Sequence, residues 1–130
     1  DHDYWLRAML LGNRITGMDR LLSLYRLHES SKTVTMRYKQ DLDMDSAHRR
    51  AMRSLPTDSP LRRALRVNAA RFCRRVAIEH YAWTRNPGIA LTFFMRMLAH
   101  DPSVCDLRVL KVAVKAALRI PAPGPRPAAA

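Results

Sequence analysis

The chain has 130 residues, of which 48% are hydrophobic, and its formal net charge is +12 with an isoelectric point near 11.0. This hydrophobic fraction excludes a wholly disordered chain, and the length suffices for one domain with a modest core. The basic excess favours anionic partners, namely nucleic acid, anionic lipid, nucleotide phosphates or an acidic protein, without choosing among them.

Two cysteines, Cys73 and Cys105, stand far apart, which argues against a disulfide framework or a cysteine zinc site and favours two reduced thiols. The first residues lack the pattern of a signal peptide, and no apolar stretch approaches the ~20 residues of a membrane span. We therefore expect a cytoplasmic chain, with the inner face of the membrane as the alternative location. The sequence opens as if within a longer one, which suggests a fragment.

The first third of the chain combines one predicted helix with an extended segment. Apolar side chains recur at helical spacing over residues 1–11, and Gly12 is suited to the left-handed geometry of a helix stop. Residues 15–27 alternate in part, which predicts a short β-hairpin, or one strand and a turn. Residues 29–35 are polar and predict a loop.

The remainder is predicted to be helical. Ser59, Asn86 and Asp101 can each cap a helix, and each is followed directly by a proline. This arrangement is typical of helix starts. Helices are expected over about 35–53, 60–84, 87–99 and 102–119. The predicted fold class is therefore mainly α, with a motif helix, a short β-hairpin, three or four α-helices and a disordered Pro-rich tail.

Three regions follow from these elements: residues 1–34, residues 35–120 as a helical accessory region, and a Pro/Ala tail over 121–130. Two sets of side chains are predicted to pack in the core. One follows the apolar face of the helix from residue 60: Leu61, Leu65, Ala69, Phe72, Val76, His80 and Trp83. The other comes from the same and the next helix: Trp83, Phe93, Phe94, Met95 and Met97.

Residues capable of chemistry are concentrated between residues 1 and 33. The first group is Asp1-x-Asp3-x-Trp5-x-Arg7. The second group is Tyr25-Arg26-x-His28-x-x-Ser31-x-Thr33. If the segment folds back, a carboxylate base and donors to an anion or metal converge. Alternatively, the two carboxylates are first-turn residues favoured by the helix dipole, and the histidine is an exposed loop residue.

The order of these motifs resembles the late motif region of family-2 glycosyltransferases with the GT-A fold. In that family, a Glu-Asp-x-Asp-x-Trp-x-Arg helix is followed by a short β segment and then by Tyr-Arg-x-His-x-x-Ser. The leading Glu is absent here, and the match covers about the first quarter of the chain. The matching residues are Asp1, Asp3, Trp5, Arg7, Tyr25, Arg26, His28 and Ser31.

The resemblance implies a role for each matching residue. Asp1 would be the base that deprotonates the acceptor hydroxyl in an inverting transfer. His28 would lie near the donor diphosphate and is a candidate metal ligand, while Arg26 and Ser31 would assist in binding the diphosphate. Asp3, Trp5 and Arg7 would hold the motif helix in place, and Trp5 would lie in the core.

The family also has a metal-binding Asp-x-Asp upstream of this region, which the chain does not contain. Asp41-x-Asp43-x-Asp45 lies downstream and is expected to be a set of solvated helix residues. We therefore expect the chain alone to be inactive and to bind no cofactor. The full-length enzyme would use Mg or Mn, a nucleotide-sugar donor and a glycan or lipid-linked acceptor, with a membrane surface as a further partner.

Two alternatives come from other functional classes. The charge also suits a basic helical module that binds nucleic acid or an acidic partner, although no recognisable DNA- or RNA-binding motif is present. A helical-hairpin interaction domain is the third alternative. It rests on one unit with tetratricopeptide-like spacing, which cannot bury its own core. The residues at that spacing are Tyr81, Ala90, Phe94 and Pro102.

Overall fold

The computed structural model describes residues 2–14 and 36–121, and these ranges contain five α-helices. The chain divides into two compact units, residues 1–65 and residues 66–130. The mainly α prediction is confirmed. In chain order the elements are α1 (His2–Leu10), α2 (Arg37–Arg53), α3 (Pro60–Ala82), α4 (Pro87–His100), a 3-10 turn (Pro102–Val104) and α5 (Leu107–Ala117).

The predicted short β-hairpin is wrong for the described chain, because residues 2–14 and 36–121 form helices and turns and no strand. The segment assigned to the hairpin, residues 15–27, lies outside these ranges. An isolated two-stranded hairpin is only marginally stable in water, and the described residues supply no third strand for it to pair with. Partial alternation over a few residues was therefore weak grounds for a sheet.

The predicted helix starts are largely confirmed. Asn86 caps α4 by accepting a hydrogen bond from Ile89 N at 3.1 Å, and Pro87 occupies the first turn. The helix expected over 102–119 is interrupted, because Asp101 caps only the short 3-10 turn. A second cap, Asp106, accepts from Val109 N at 2.9 Å and starts α5.

Helix α1 ends as predicted. Gly12 has a φ of 84°, in the left-handed region, and Asn13 N donates to Ala8 O at 3.2 Å. Within the first unit, α1 packs against α2. Helix α2 buries Asp45, Ala47 and Ala51. The expectation that Asp45 is solvated is wrong, because its carboxylate is fully buried and pairs with Arg49 at 2.9 Å.

The second unit is built on aromatic and small side chains. Phe93 is fully buried, lies edge-on to Phe72 and stacks on the ring of His80 at a centroid distance of 6.2 Å. Helix α4 also packs against α5. There, Tyr81 and Ala90 form a buried cluster with residues of α5. Of the two cysteines, Cys73 is fully buried and Cys105 is partly exposed, and neither is in a disulfide.

The predicted apolar face of α3 is confirmed at Leu65, Ala69, Phe72, Val76 and His80, all of which are buried. Two predicted core positions on that face are wrong, namely Leu61 and Trp83. Trp83 is 81% exposed because α3 ends at Ala82, so the helical spacing no longer applies to it.

The second predicted core set is also only partly confirmed. Phe93 and Met97 are fully buried, and Phe94 is partly buried. Met95 is 58% exposed, because helical geometry turns it away from the buried face that these two residues share. None of the described helices has the length and apolar character needed to cross a membrane.

Candidate functional site

The motif helix α1 is fixed to α2 by the carboxylate of Asp3. Arg7 Nε lies 3.2 Å from Asp3 Oδ2, one helical turn away. Arg50 donates from both Nε and Nη2 to Asp3 Oδ1, each at 3.1 Å. Both carboxylate oxygens are therefore engaged by guanidinium groups, and the arrangement holds one helix against the other within the first unit.

The aromatic residue of the motif is placed differently from the expectation. Trp5 is 50% exposed rather than part of the core. Its ring lies edge-on to that of Tyr4, with centroids 5.2 Å apart. The two rings flank each other because they are adjacent in the helix, and this leaves an exposed aromatic surface on α1.

Four of the predicted site residues lie outside the described residues: Asp1, Arg26, His28 and Ser31. Their geometry stays a prediction. The candidate metal ligand, His28, is one of these four, and Asp3 is unsuited to be a further ligand because two arginines already neutralise it. Placing a divalent cation there would set like charges side by side. No chemical step is therefore assigned to a metal at Asp3.

Some of the basic side chains of α3 make contacts within the second unit. Arg74 forms an ion pair with Asp106. Arg75 lies 5.6 Å from the ring centroid of Phe72 and 4.0 Å from the carboxylate of Glu79. Arg74 and Arg75 therefore contribute to the packing of the second unit, whereas Arg71 is exposed to solvent.

The cap of α5 is reinforced electrostatically by the same pair. The pKa of the Asp106 carboxyl is lowered from its ordinary value of 3.8, first by the hydrogen bond from Val109 N and then by Arg74. Desolvation acts in the opposite direction without cancelling these effects. Asp106 is therefore a charged helix cap over a wider pH range than an ordinary aspartate.

A small pocket lies in the second unit, and sequence analysis did not identify it. Its volume is about 180 Å³. It is lined by residues from the end of α3, the start of α4 and the segment after α5: Tyr81, Arg85, Pro87, Arg119, Ile120 and Pro121. Because drug-sized ligands occupy pockets of roughly 300–1,000 Å³, this one suits a small molecule or one group of a larger molecule.

Both arginines of this pocket have left-handed backbones, with φ of 51° at Arg85 and 54° at Arg119. This conformation costs a residue with a Cβ about 1–2 kcal/mol, which is why glycine usually occupies it. At Arg119 it closes the end of α5, where Ile120 N donates to Lys115 O at 2.9 Å. A glycine would have indicated these helix ends in the sequence, whereas arginine gives no such signal.

Helix α5 has an apolar stripe on its exposed surface that sequence analysis also missed. The stripe residues are between 45% and 66% exposed and recur every three or four positions. They are Leu107, Leu110, Val114 and Leu118.

The surroundings of the stripe are basic. Along one edge of it, three basic side chains are exposed, namely Arg108, Lys111 and Lys115. The second unit is basic throughout, since its only acidic residues are Glu79, Asp101 and Asp106.

No family model, no curated protein and no solved structure is significantly similar to this chain.

Proposed function

We propose that the chain is the C-terminal part of a family-2 glycosyltransferase that moves a sugar from a nucleotide-sugar donor to a glycan or lipid-linked acceptor. The support is the order of its two motifs, Asp-x-Asp-x-Trp-x-Arg and Tyr-Arg-x-His-x-x-Ser. The single observation that supports the proposal further is that Asp3, Trp5 and Arg7 of the first motif lie on one helix, α1, which is fixed to α2 through Asp3 and Arg50. Such a packed helix suits a scaffold for a base at its N-terminal end.

The two carboxylates of the first motif then have different tasks. Asp3 is engaged by Arg7 and Arg50 and is a positioning residue. Asp1, which directly precedes α1, takes the proton from the acceptor hydroxyl as the oxygen attacks the anomeric carbon and the nucleoside diphosphate leaves. Arg26, His28 and Ser31 neutralise charge on that leaving group, and a divalent metal, when bound, supplies further neutralisation.

The coding sequence upstream of Asp1 provides the first test. We expect it to encode, in frame, an apolar strand ending in Asp-x-Asp and a glutamate next to Asp1. In the extended protein, Asp1→Asn should lower kcat by roughly 10²–10⁴-fold, the usual contribution of a general base, with little change in the melting temperature. Asp3→Asn is the matched control and should lower stability more than kcat. An Asp1→Asn variant with the kcat of the parent would contradict the proposal.

The surface of α5 supports a second function, in which the chain docks an amphipathic helix of an acidic protein. The apolar stripe is spaced to pack against a partner helix, and Lys111 and Lys115 on its edge complement acidic side chains. Nucleic acid suits this surface less well, because interfaces with DNA are polar and directed at phosphates. Membrane-bound amphipathic helices commonly present aromatic residues, which α5 does not contain.

A synthetic helical peptide tests this second function, with leucine at two positions of each heptad and glutamate beside them. We expect binding that weakens roughly tenfold or more in Leu110→Gln and in Lys111→Gln, because both apolar packing and charge contribute. Lys39→Gln, an exposed charge on α2, is the matched control and should leave affinity unchanged. Binding to anionic vesicles or duplex DNA but not to the peptide would overturn it.

A further inference from the structure

The pocket in the second unit is held in shape by contacts between segments distant in sequence. Tyr81 near the end of α3 donates its phenolic hydrogen to Ile120 O at 2.9 Å. Asn86, whose side chain caps α4, also donates from its backbone N to His80 O at 3.0 Å. The end of α3, the start of α4 and the segment after α5 are therefore joined around one cavity.

The two arginines at this cavity share a second property beside their backbone conformation. Within residues 2–14 and 36–121, neither the Arg85 nor the Arg119 guanidinium makes an ion pair or a side-chain hydrogen bond, unlike Arg74 and Arg50. Both are exposed. Their left-handed backbones lie beyond the ends of α3 and α5, and both residues line the cavity there.

The remaining lining of the pocket is largely apolar. Beside the two arginines, its lining residues are Pro87, Ile120, Pro121 and Tyr81. A ligand that satisfies this lining therefore carries a compact apolar or aromatic body next to its charge. Two guanidinium groups favour an anion with enough oxygens for both, which describes a phosphate monoester better than a single carboxylate.

We propose that this pocket binds the terminal phosphate monoester of a small organic molecule or side chain. Arg85 and Arg119 bind the phosphate oxygens, and the body of the ligand lies against Tyr81, Pro87 and Ile120. The residues involved are separate from the two motifs near the N-terminus, so the site stands or fails independently of the glycosyltransferase proposal.

Phenyl phosphate is the probe, titrated into the 130-residue chain by calorimetry at physiological salt, where weak unspecific ion pairing is screened. We expect saturable binding at one site. Phenylacetate should bind more weakly, since it offers one carboxylate, and benzyl alcohol should not bind. Inorganic phosphate should bind more weakly than phenyl phosphate, since it leaves the apolar lining unused. Equal affinity for the two phosphates would overturn the proposed ligand class.

The decisive variants are Arg85→Gly and Arg119→Gly. Glycine removes the guanidinium while adopting positive φ without strain, so the melting temperature should stay the same or rise. Affinity for phenyl phosphate should fall roughly tenfold or more in each variant. Arg108→Gln on α5 is the charge-matched control and should bind as the parent does. Unchanged affinity in the glycine variants, or an equal loss in Arg108→Gln, would overturn the proposal.

Discussion

The phenol of Tyr81 donates a hydrogen bond of 2.9 Å to the carbonyl oxygen of Ile120, 39 residues further along the chain. It connects the last turn of α3 to the segment that follows α5. Ala90 and Ala116 are buried with Tyr81 in the same cluster. The contact therefore closes the second unit at the end where its pocket lies.

Removing this hydroxyl tests the connection. Tyr81→Phe keeps the buried ring and loses only the hydrogen bond, so we expect a loss of about 0.5–1.5 kcal/mol in the free energy of unfolding. Urea denaturation measures it. Tyr4→Phe is the control, because Tyr4 is exposed and its ring contact with Trp5 does not need the hydroxyl. Equal effects of the two substitutions would show that the contact to Ile120 contributes nothing.

The charge of Asp106 predicts a pH dependence. Since the pKa of its carboxyl is lowered in the folded chain, the stabilising contribution is present above 3.8 and is lost as the pH falls further, through the folded-state pKa. Asp106→Asn keeps a cap acceptor but removes the charge that pairs with Arg74. We expect the variant to unfold at a lower temperature than the parent at pH 6.

As the pH falls from 3.8 toward 2, the two proteins should approach the same melting temperature, because the parent carboxyl becomes increasingly protonated. Thermal melts followed by circular dichroism between pH 2 and pH 6 give the comparison. A difference between the two that stays constant over that range would show that the ion pair with Arg74 has no part in stability.

The network around Asp3 predicts unequal coupling to its two arginines. Arg50 donates twice to one oxygen and joins two helices, whereas Arg7 lies on the same helix as Asp3. Both pairs are partly exposed, so solvent screening limits the coupling to about 0.5–1 kcal/mol for Arg50 and about 0.3–0.5 kcal/mol for Arg7. Double-mutant cycles with Asp3→Asn, Arg50→Gln and Arg7→Gln measure both, and a larger coupling for Arg7 would contradict the geometry.

The cap of α4 predicts a further loss of stability. Asn86→Ala removes the acceptor of the Ile89 hydrogen bond and should cost about 1 kcal/mol, while Asn86→Asp should retain most of it. Asn68 is exposed in the middle of α3, so Asn68→Ala should be neutral or slightly stabilising through higher helix propensity. Urea denaturation measures the free energy of unfolding of the three variants. If Asn86→Ala unfolds with the same free energy as the parent, the cap contributes nothing to stability.

The helix starts at Asn86 and Asp101 and the end of α1 at Gly12 were predictable in this chain, whereas the ends of α3 and α5 were not. Asn86 and Asp101 before prolines carry their capping chemistry in the side chain, which sequence alone reveals. The ends of α3 and α5 depend on arginines in a conformation that sequence statistics assign to glycine. One consequence was the misplaced Trp83, which follows the last residue of α3 and so left the predicted core.

The candidate sites divide in the same way. The first motif was proposed from the order of its residues and stays a prediction; the structure adds that Asp3 is held by Arg50, a partner 47 residues away that no local pattern indicated. The pocket was not predictable, because it exists only once Tyr81, Pro87 and Ile120 are brought together by tertiary packing. The stripe on α5 was missed because its spacing is also that of an ordinary buried helix face.

The two cysteines, neither of them in a disulfide, differ sharply in accessibility, and this allows one of them to be labelled selectively in the native chain. Cys73 has no solvent exposure, whereas Cys105 is partly exposed between the 3-10 turn and α5. A maleimide dye therefore labels Cys105 first, beside the helix with the apolar stripe. Cys73 can be labelled only after the surrounding structure opens, so the rate at which Cys73 is labelled reports the rate or extent of unfolding.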